Sequence, residues 1–272
     1  MQQSYADPDQ FSPQVPNVRR FRTLRVVLAL MLRELGSRDS RSSLGFLWML
    51  IEPVGTVILL SFAFSIISRT PRLGTNFQLY YVTGVIPFHM YSQIGNRVAG
   101  SIRFSRQLLG FPSVTVLDAI FARFLLNYLV SILVFIVSVV GVVWFYGLHV
   151  NVDLPSAVLS VAMAGALAIS IGTFNSVLFI AWPTYENIWG MLSRPMFLAS
   201  GIMLLINDLP DKYFNYLKWF PVAHVVGEMR HAFYPGYDAS YVSPFYVFMV
   251  AGIAFLIGLV TLQHFVYDAL DG

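Results

Sequence analysis

His224, Glu228 and His231 stand at i, i+4 and i+7, so a helix over this stretch aligns two imidazoles and a carboxylate on one face. A metal site with a base beside its ligands requires such an alignment. The order departs from HExxH, in which the acid directly follows the first ligand. An intramembrane metalloenzyme is therefore one reading. The other is structural, with Glu228 pairing with Arg230 or accepting a hydrogen bond from a histidine. No metal is assigned.

Other chemistry is missing. The chain has no cysteine, which removes thiol nucleophiles and Cys-based zinc sites. It has no GxxxxGK[ST] loop, and its only lysines are Lys212 and Lys218, so it does not hydrolyse ATP by itself and carries no cofactor of its own. Neither GxGxxG after a strand nor GxSxG occurs. Acids near apolar runs are limited to Glu52, Asp118 and Glu186, which gives little support to ion-gradient coupling. Glu52 precedes Pro53, and a carboxylate there costs several kcal/mol unless paired or set among headgroups. Arg97 and Arg123 are its candidate partners in a structural ion pair.

The elements that must position these residues follow from composition. Of 272 residues, 57% are hydrophobic and 11% charged, against about 45–50% and about 25% in soluble domains. Lipid is therefore the solvent for most of the chain. The expected class is an all-α polytopic membrane protein with six transmembrane helices. The candidate spans are Phe46–Ile67, Phe77–Asn96, Phe124–Tyr146, Leu154–Ala181, Asn187–Asn207 and Ser243–Tyr267. Residues 1–18 read as a disordered cytoplasmic tail and 19–272 as the membrane domain. Between Arg19 and Gly36, Phe21, Leu24, Leu28, Met31, Leu32 and Leu35 form one side of an amphipathic helix suited to a membrane surface.

Counting basic residues on alternate sides gives 12 against 5 of the 17 Lys+Arg, which puts both termini in the cytoplasm. On that side, residues 101–113 form a short basic stretch, with Arg103 and Arg106 as candidates for docking a soluble partner. On the other side, residues 208–242 are rich in aromatics in runs too short to cross. Re-entrant helices and an interfacial aromatic belt both fit.

The run Arg41-Ser-Ser-Leu-Gly-Phe-Leu-Trp48, continuing to Glu52-Pro53, resembles the opening of ABC-2 type polysaccharide-export permeases. Arg194-Pro195, Ser200-Gly201, Pro210, Trp219, Pro221, His224, Glu228, Arg230 and Pro235–Tyr237 resemble the capsule-export, KpsM-like branch. Two features depart from that branch: Phe220 replaces a frequent Asn, and no charged pair follows Pro183-Thr184.

The resemblance implies a bacterial inner-membrane half-transporter that dimerises with a second copy of itself. It implies two ATP-binding subunits, which hold ATP and Mg, and a lipid-linked acidic polysaccharide moved to the periplasm. Periplasmic and outer-membrane export proteins are further partners it leaves room for; nucleic acid is not one. With such a substrate, Arg33, Arg38 and Arg41 become candidates for its entry, or else serve topology alone. Trp48, Tyr80, Tyr81 and Tyr91 become candidates to line a channel with flat faces and polar tips. O-antigen or teichoic acid is the alternative cargo.

Overall fold

The arginine-rich opening stretch forms helix α1 (Arg22–Asp39), and the apolar runs form the long helices after it. These are α2 (Gly45–Ile67), α3 (Phe77–Ala99), the short α4 (Ser101–Leu109), α5 (Val116–Tyr146), α6 (Leu154–Ala181) and α7 (Pro183–Ala199). A 3-10 turn at Ile206–Asp208 leads to α8 (Asp211–Leu217), α9 (Pro221–Phe233) and α10 (Pro244–Asp271). The structure, a computed structural model, describes residues 22–39, 45–67, 70–110 and 114–271, with side chains described for 23–36, 51, 54–63, 66, 70–110 and 114–264. No strand occurs among them. The expected tail at 1–18 lies outside the described residues.

Among the described residues, three helices are long and apolar enough to cross a membrane: α5, α6 and Pro244–His264 of α10. Two spans differ most from the sequence reading. The third apolar element starts at Val116, not Phe124, because Thr115 and Asp118 form a capping box that fixes its first turn. The fifth is α7, which ends at Ala199 where Gly201 turns left-handed at φ 80°. Its 17 residues measure about 25 Å at about 1.5 Å per residue, short of the ~30 Å hydrocarbon core.

Helix α6 lies at the centre, packed against α3, α9 and α10. Small residues let the backbones approach. A methyl group at Gly172 would lie 2.6 Å from Cβ of Val98 and 2.8 Å from the Gly95 carbonyl oxygen, and one at Gly258 would lie 2.9 Å from the backbone nitrogen of Phe174. Buried hydroxyls are satisfied locally or across this contact: Thr173 donates to the Ile169 carbonyl at 2.7 Å and Ser160 to the Val225 carbonyl of α9 at 2.7 Å. Outward, α5 and α10 leave Leu129, Val140, Phe245 and Leu256 largely uncovered.

Helix α1 packs on α5 through Val27, Leu30 and the buried Glu34. Leu24, Leu28 and Leu32, expected on the apolar side, face away from the protein.

Candidate functional site

Arg230 on α9 is the largest fully buried side chain, only 1% exposed. Its Nη1 donates to the Gly201 carbonyl at 2.6 Å and its Nη2 to the Ile202 carbonyl at 2.8 Å. The guanidinium lies over the Tyr80 ring, 4.5 Å from its centroid. No carboxylate reaches it among the described residues. Two local features make the space. Gly84 on α3 leaves room where a methyl would sit 3.3 Å from Nη2, and the left-handed Gly201 turns two carbonyls of the chain after α7 toward the cation. A buried charge without an ion pair is tolerable when charge-assisted bonds and a helix C-terminus face it. The pairing of Glu228 with Arg230 therefore does not form. Glu228 is buried elsewhere on α9, near Ser156, and burial pushes its carboxyl above the usual carboxylate range.

His224 explains why the metal reading fails among the described residues, where no group of three potential ligands gathers. Its Nε2 lies 2.8 Å from the Lys218 carbonyl, and its Nδ1 accepts the Ser243 N–H at 3.1 Å. Both nitrogens are thus occupied by backbone, with Nε2 the donor. Burial holds its pKa below the ordinary value, which keeps Nδ1 an acceptor. His231 is exposed. Trp219 is exposed too, while its carbonyl accepts a hydrogen bond from the Tyr246 hydroxyl at 2.8 Å.

At the other end of α3 the cations form a second group. Arg123 pairs with Glu34 at 3.4 Å, donates to the Arg97 carbonyl at 3.0 Å and stacks over Phe104, 4.1 Å from its centroid. Arg33 lies over the same ring at 5.5 Å. The acid the structure places on Arg123 is thus Glu34, not singled out by the sequence reading. The Glu52 carboxylate, Trp48, Arg38 and Arg41 fall outside the described side chains. Arg97 joins through its carbonyl while its own side chain is exposed, lining a small cleft with His89 and Asn127. Arg103 is tied to Glu186 on α7 at 2.9 Å and to the Phe179 carbonyl at 2.9 Å, and both it and Arg106 are exposed.

Tyr80, Tyr81 and Tyr91 were expected on an open channel wall. They are 1%, 2% and 4% exposed, packed inside the protomer. Tyr80 serves Arg230, and Tyr91 meets Phe88 edge-on at 6.1 Å. The reason is geometric: α3 is wrapped by α5, α6 and α9, so its aromatic faces meet protein.

An all-helical chain with long lipid-compatible helices, a centre built from arginine and backbone carbonyls and no nucleotide loop fits a transport subunit. The model of the ABC-2 type transporter family matches residues 25–234, and the chain belongs to that family. Among curated proteins it is 32% identical over 234 residues to the polysialic acid transport protein KpsM of Escherichia coli, covering 86% of this chain and 90% of that one. It is 29% identical over 252 residues to the capsule polysaccharide export inner-membrane protein CtrC of Neisseria meningitidis serogroup B, covering 89% and 91%. It is 27% identical over 248 residues to the capsule polysaccharide export inner-membrane protein BexB of Haemophilus influenzae, covering 89% and 91%.

Proposed function

We propose that this chain is the membrane permease of an ATP-driven exporter in a bacterial inner membrane, carrying lipid-linked acidic capsular polysaccharide from cytoplasm to periplasm. The observation that carries the reading is its similarity, over nearly the full length of both chains, to proteins named for capsule polysaccharide and polysialic acid transport. The absence of any phosphate-binding loop supports an external motor: two ATP-binding subunits supply ATP and Mg chemistry. Helices α2 and α3, and α7 together with the chain that continues it to Asn207, complete six spans, and the arginine asymmetry places both termini in the cytoplasm. The outward leucine stripe of α1 lies on the lipid surface, while α8 and α9 form the re-entrant pair of the periplasmic side.

Two copies assemble. The support is α7, none of whose residues is buried in the protomer although it carries Ile188, Met191 and Leu198 beside Glu186 and Arg194. A second copy covers it. Arg33, Arg38 and Arg41 meet the anionic end of the substrate, and α4, with Arg103 and Arg106, receives the motor.

The test is reconstitution with the ATP-binding subunit and a fluorescent lipid-linked acidic polymer in proteoliposomes. ATP-dependent movement that needs both subunits is expected. Sustained pumping by the isolated chain, or ATP turnover without polymer movement, refutes the reading.

A further inference from the structure

A cavity of about 520 Å³ opens between α8, the start of α9 and the start of α10, well inside the ~300–1,000 Å³ range of small-molecule sites. Its walls are aromatic. Trp219 and Tyr246 meet edge to face at 5.8 Å, and Phe214 and Tyr241 do the same at 6.2 Å. Among the described residues Lys218 is the only charged one in the lining, its Nζ 5.9 Å from the Phe214 ring centroid and 6.0 Å from that of Trp219. Ser240 and Ser243 add polar groups, and no carboxylate among the described residues lines the space.

Aromatics of an interfacial belt are normally dispersed around a membrane protein. Here they converge on one cavity, and the backbone beneath them is clamped. The Lys218 carbonyl is held by His224 and the Trp219 carbonyl by Tyr246, both at 2.8 Å, while the indole of Trp219 remains 63% exposed. A side chain held open on a fixed backbone loses little conformational freedom when a ligand arrives.

Flat rings stack on the C–H faces of pyranose sugars, hydroxyls bond their edges, and a single ammonium without a competing acid selects a negatively charged unit. We propose that this cavity binds an anionic sugar residue of the exported polymer on the exit side of the membrane. The inference rests on the proposed export function and adds a polymer-binding site to it. One cation and a few rings hold a sugar weakly, which suits a chain that must move on.

The test uses the full-length permease in phosphatidylcholine nanodiscs, titrated with tetragalacturonate and, as the neutral control, maltotetraose, and read by saturation-transfer NMR. Tetragalacturonate should bind at least tenfold more tightly than maltotetraose. Lys218→Gln should weaken it at least tenfold, and Trp219→Ala should abolish transfer to the sugar C–H protons. Trp219→Phe, which keeps an aromatic face, should restore part of that transfer, a recovery that a misfolded Ala variant does not mimic. Equal binding of both oligosaccharides, or unchanged tetragalacturonate binding in the Lys218 and Trp219 variants, overturns the proposal. Loss of tetragalacturonate binding when phosphatidylglycerol is added assigns the cavity to lipid headgroups and also overturns it. Export is measured in parallel. Normal export with unaltered sugar binding in the variants defeats the cavity alone, whereas a wild-type chain that exports nothing with its ATP-binding subunit defeats the parent reading, and with it the polymer as ligand.

Discussion

Replacing Arg230 with lysine tests whether a guanidinium fork joins α9 to the chain that follows α7. Lysine keeps the positive charge but reaches the two carbonyls of Gly201 and Ile202 as a single point donor. At least one charge-assisted bond is lost, at about 1.5–3 kcal/mol. The planar contact with the Tyr80 ring goes as well, at about 0.5–2 kcal/mol. The sum is about 2–5 kcal/mol at a side chain that is only 1% exposed, so screening by water barely reduces it. A domain of this size shifts by about 2–4 °C per kcal/mol, so the melting temperature in nanodiscs should fall by roughly 4–20 °C.

The loss should be local before it is global. Amide exchange at residues 200–206 should accelerate, while the α6 core that Gly172 packs stays protected. Tyr80→Phe retains the ring and gives up the hydroxyl's contacts, the 3.4 Å bond to the Met203 carbonyl and its interaction with Arg230, so it should cost less. An Arg230→Lys protein that melts within about 1 kcal/mol of wild type, with unchanged exchange at 200–206, would falsify this account of the site.

Gly172→Ala should cost about 1–3 kcal/mol by forcing α6 away from α3, whereas Gly252→Ala on α10, with nothing within 4 Å of the added methyl, should be neutral; paired melts decide. His224 titrates below its ordinary 6.5 because of burial, so the fold binds fewer protons than the unfolded chain at and below that pH. Stability should be complete above pH 6.5 and decline as pH falls through it toward the folded-state value, a slope that His224→Gln removes. Glu228, raised by burial, slopes the other way, so Glu228→Gln separates the two contributions. The Arg103–Glu186 pair is about half exposed, with side chains 55% and 43% accessible, and should contribute less than about 1 kcal/mol. Arg103→Glu should therefore leave melting unchanged while lowering export per ATP hydrolysed, and adding Glu186→Arg should recover it; a variant that simply unfolds contradicts the assignment.

Fold class and helix order were legible because lipid demands long uncharged helices, and composition reports that directly. The capping box at Thr115 and Asp118 was also visible in sequence, yet the hydropathy of Phe124 onward drew the boundary inward. Arg230 stood among the residues carrying the family resemblance, but nothing local revealed its partners. They are backbone carbonyls 28 and 29 residues earlier, presented by a glycine turn. The tyrosines of α3 illustrate the converse error. The family resemblance made them candidates for a channel wall, but polar tips are equally at home against arginine and carbonyls inside a protomer. Glu34 escaped notice because α1 was read by its leucines, whereas packing selected the strip of Val27, Leu30 and Glu34.

The placement of the two arginine sites gives α7 a particular mechanical character. Its first turn carries Glu186, held by Arg103 from α4, and the carbonyls just beyond its last turn are held by Arg230 from α9. An acid at the N-terminus and a cation past the C-terminus both favour the helix dipole, so each anchor also stabilises the helix it grips. Between the anchors no residue of α7 is buried. Between them α7 keeps a few contacts, the Trp189 indole donating to Asn96 at 3.2 Å and Phe197 meeting Phe88 edge-on at 5.2 Å, so the helix is held at its ends and at scattered points rather than by a close-packed face. Arg103 sits on α4, which follows α3 after the single residue Gly100, and the opposite end of α3 supplies Tyr80 beneath Arg230. Helix α4 is therefore connected to both anchors of α7, directly at Arg103 and through the α3 axis at Tyr80. The two arginines are separable, because the exposed pair contributes little to folding and the buried one a great deal.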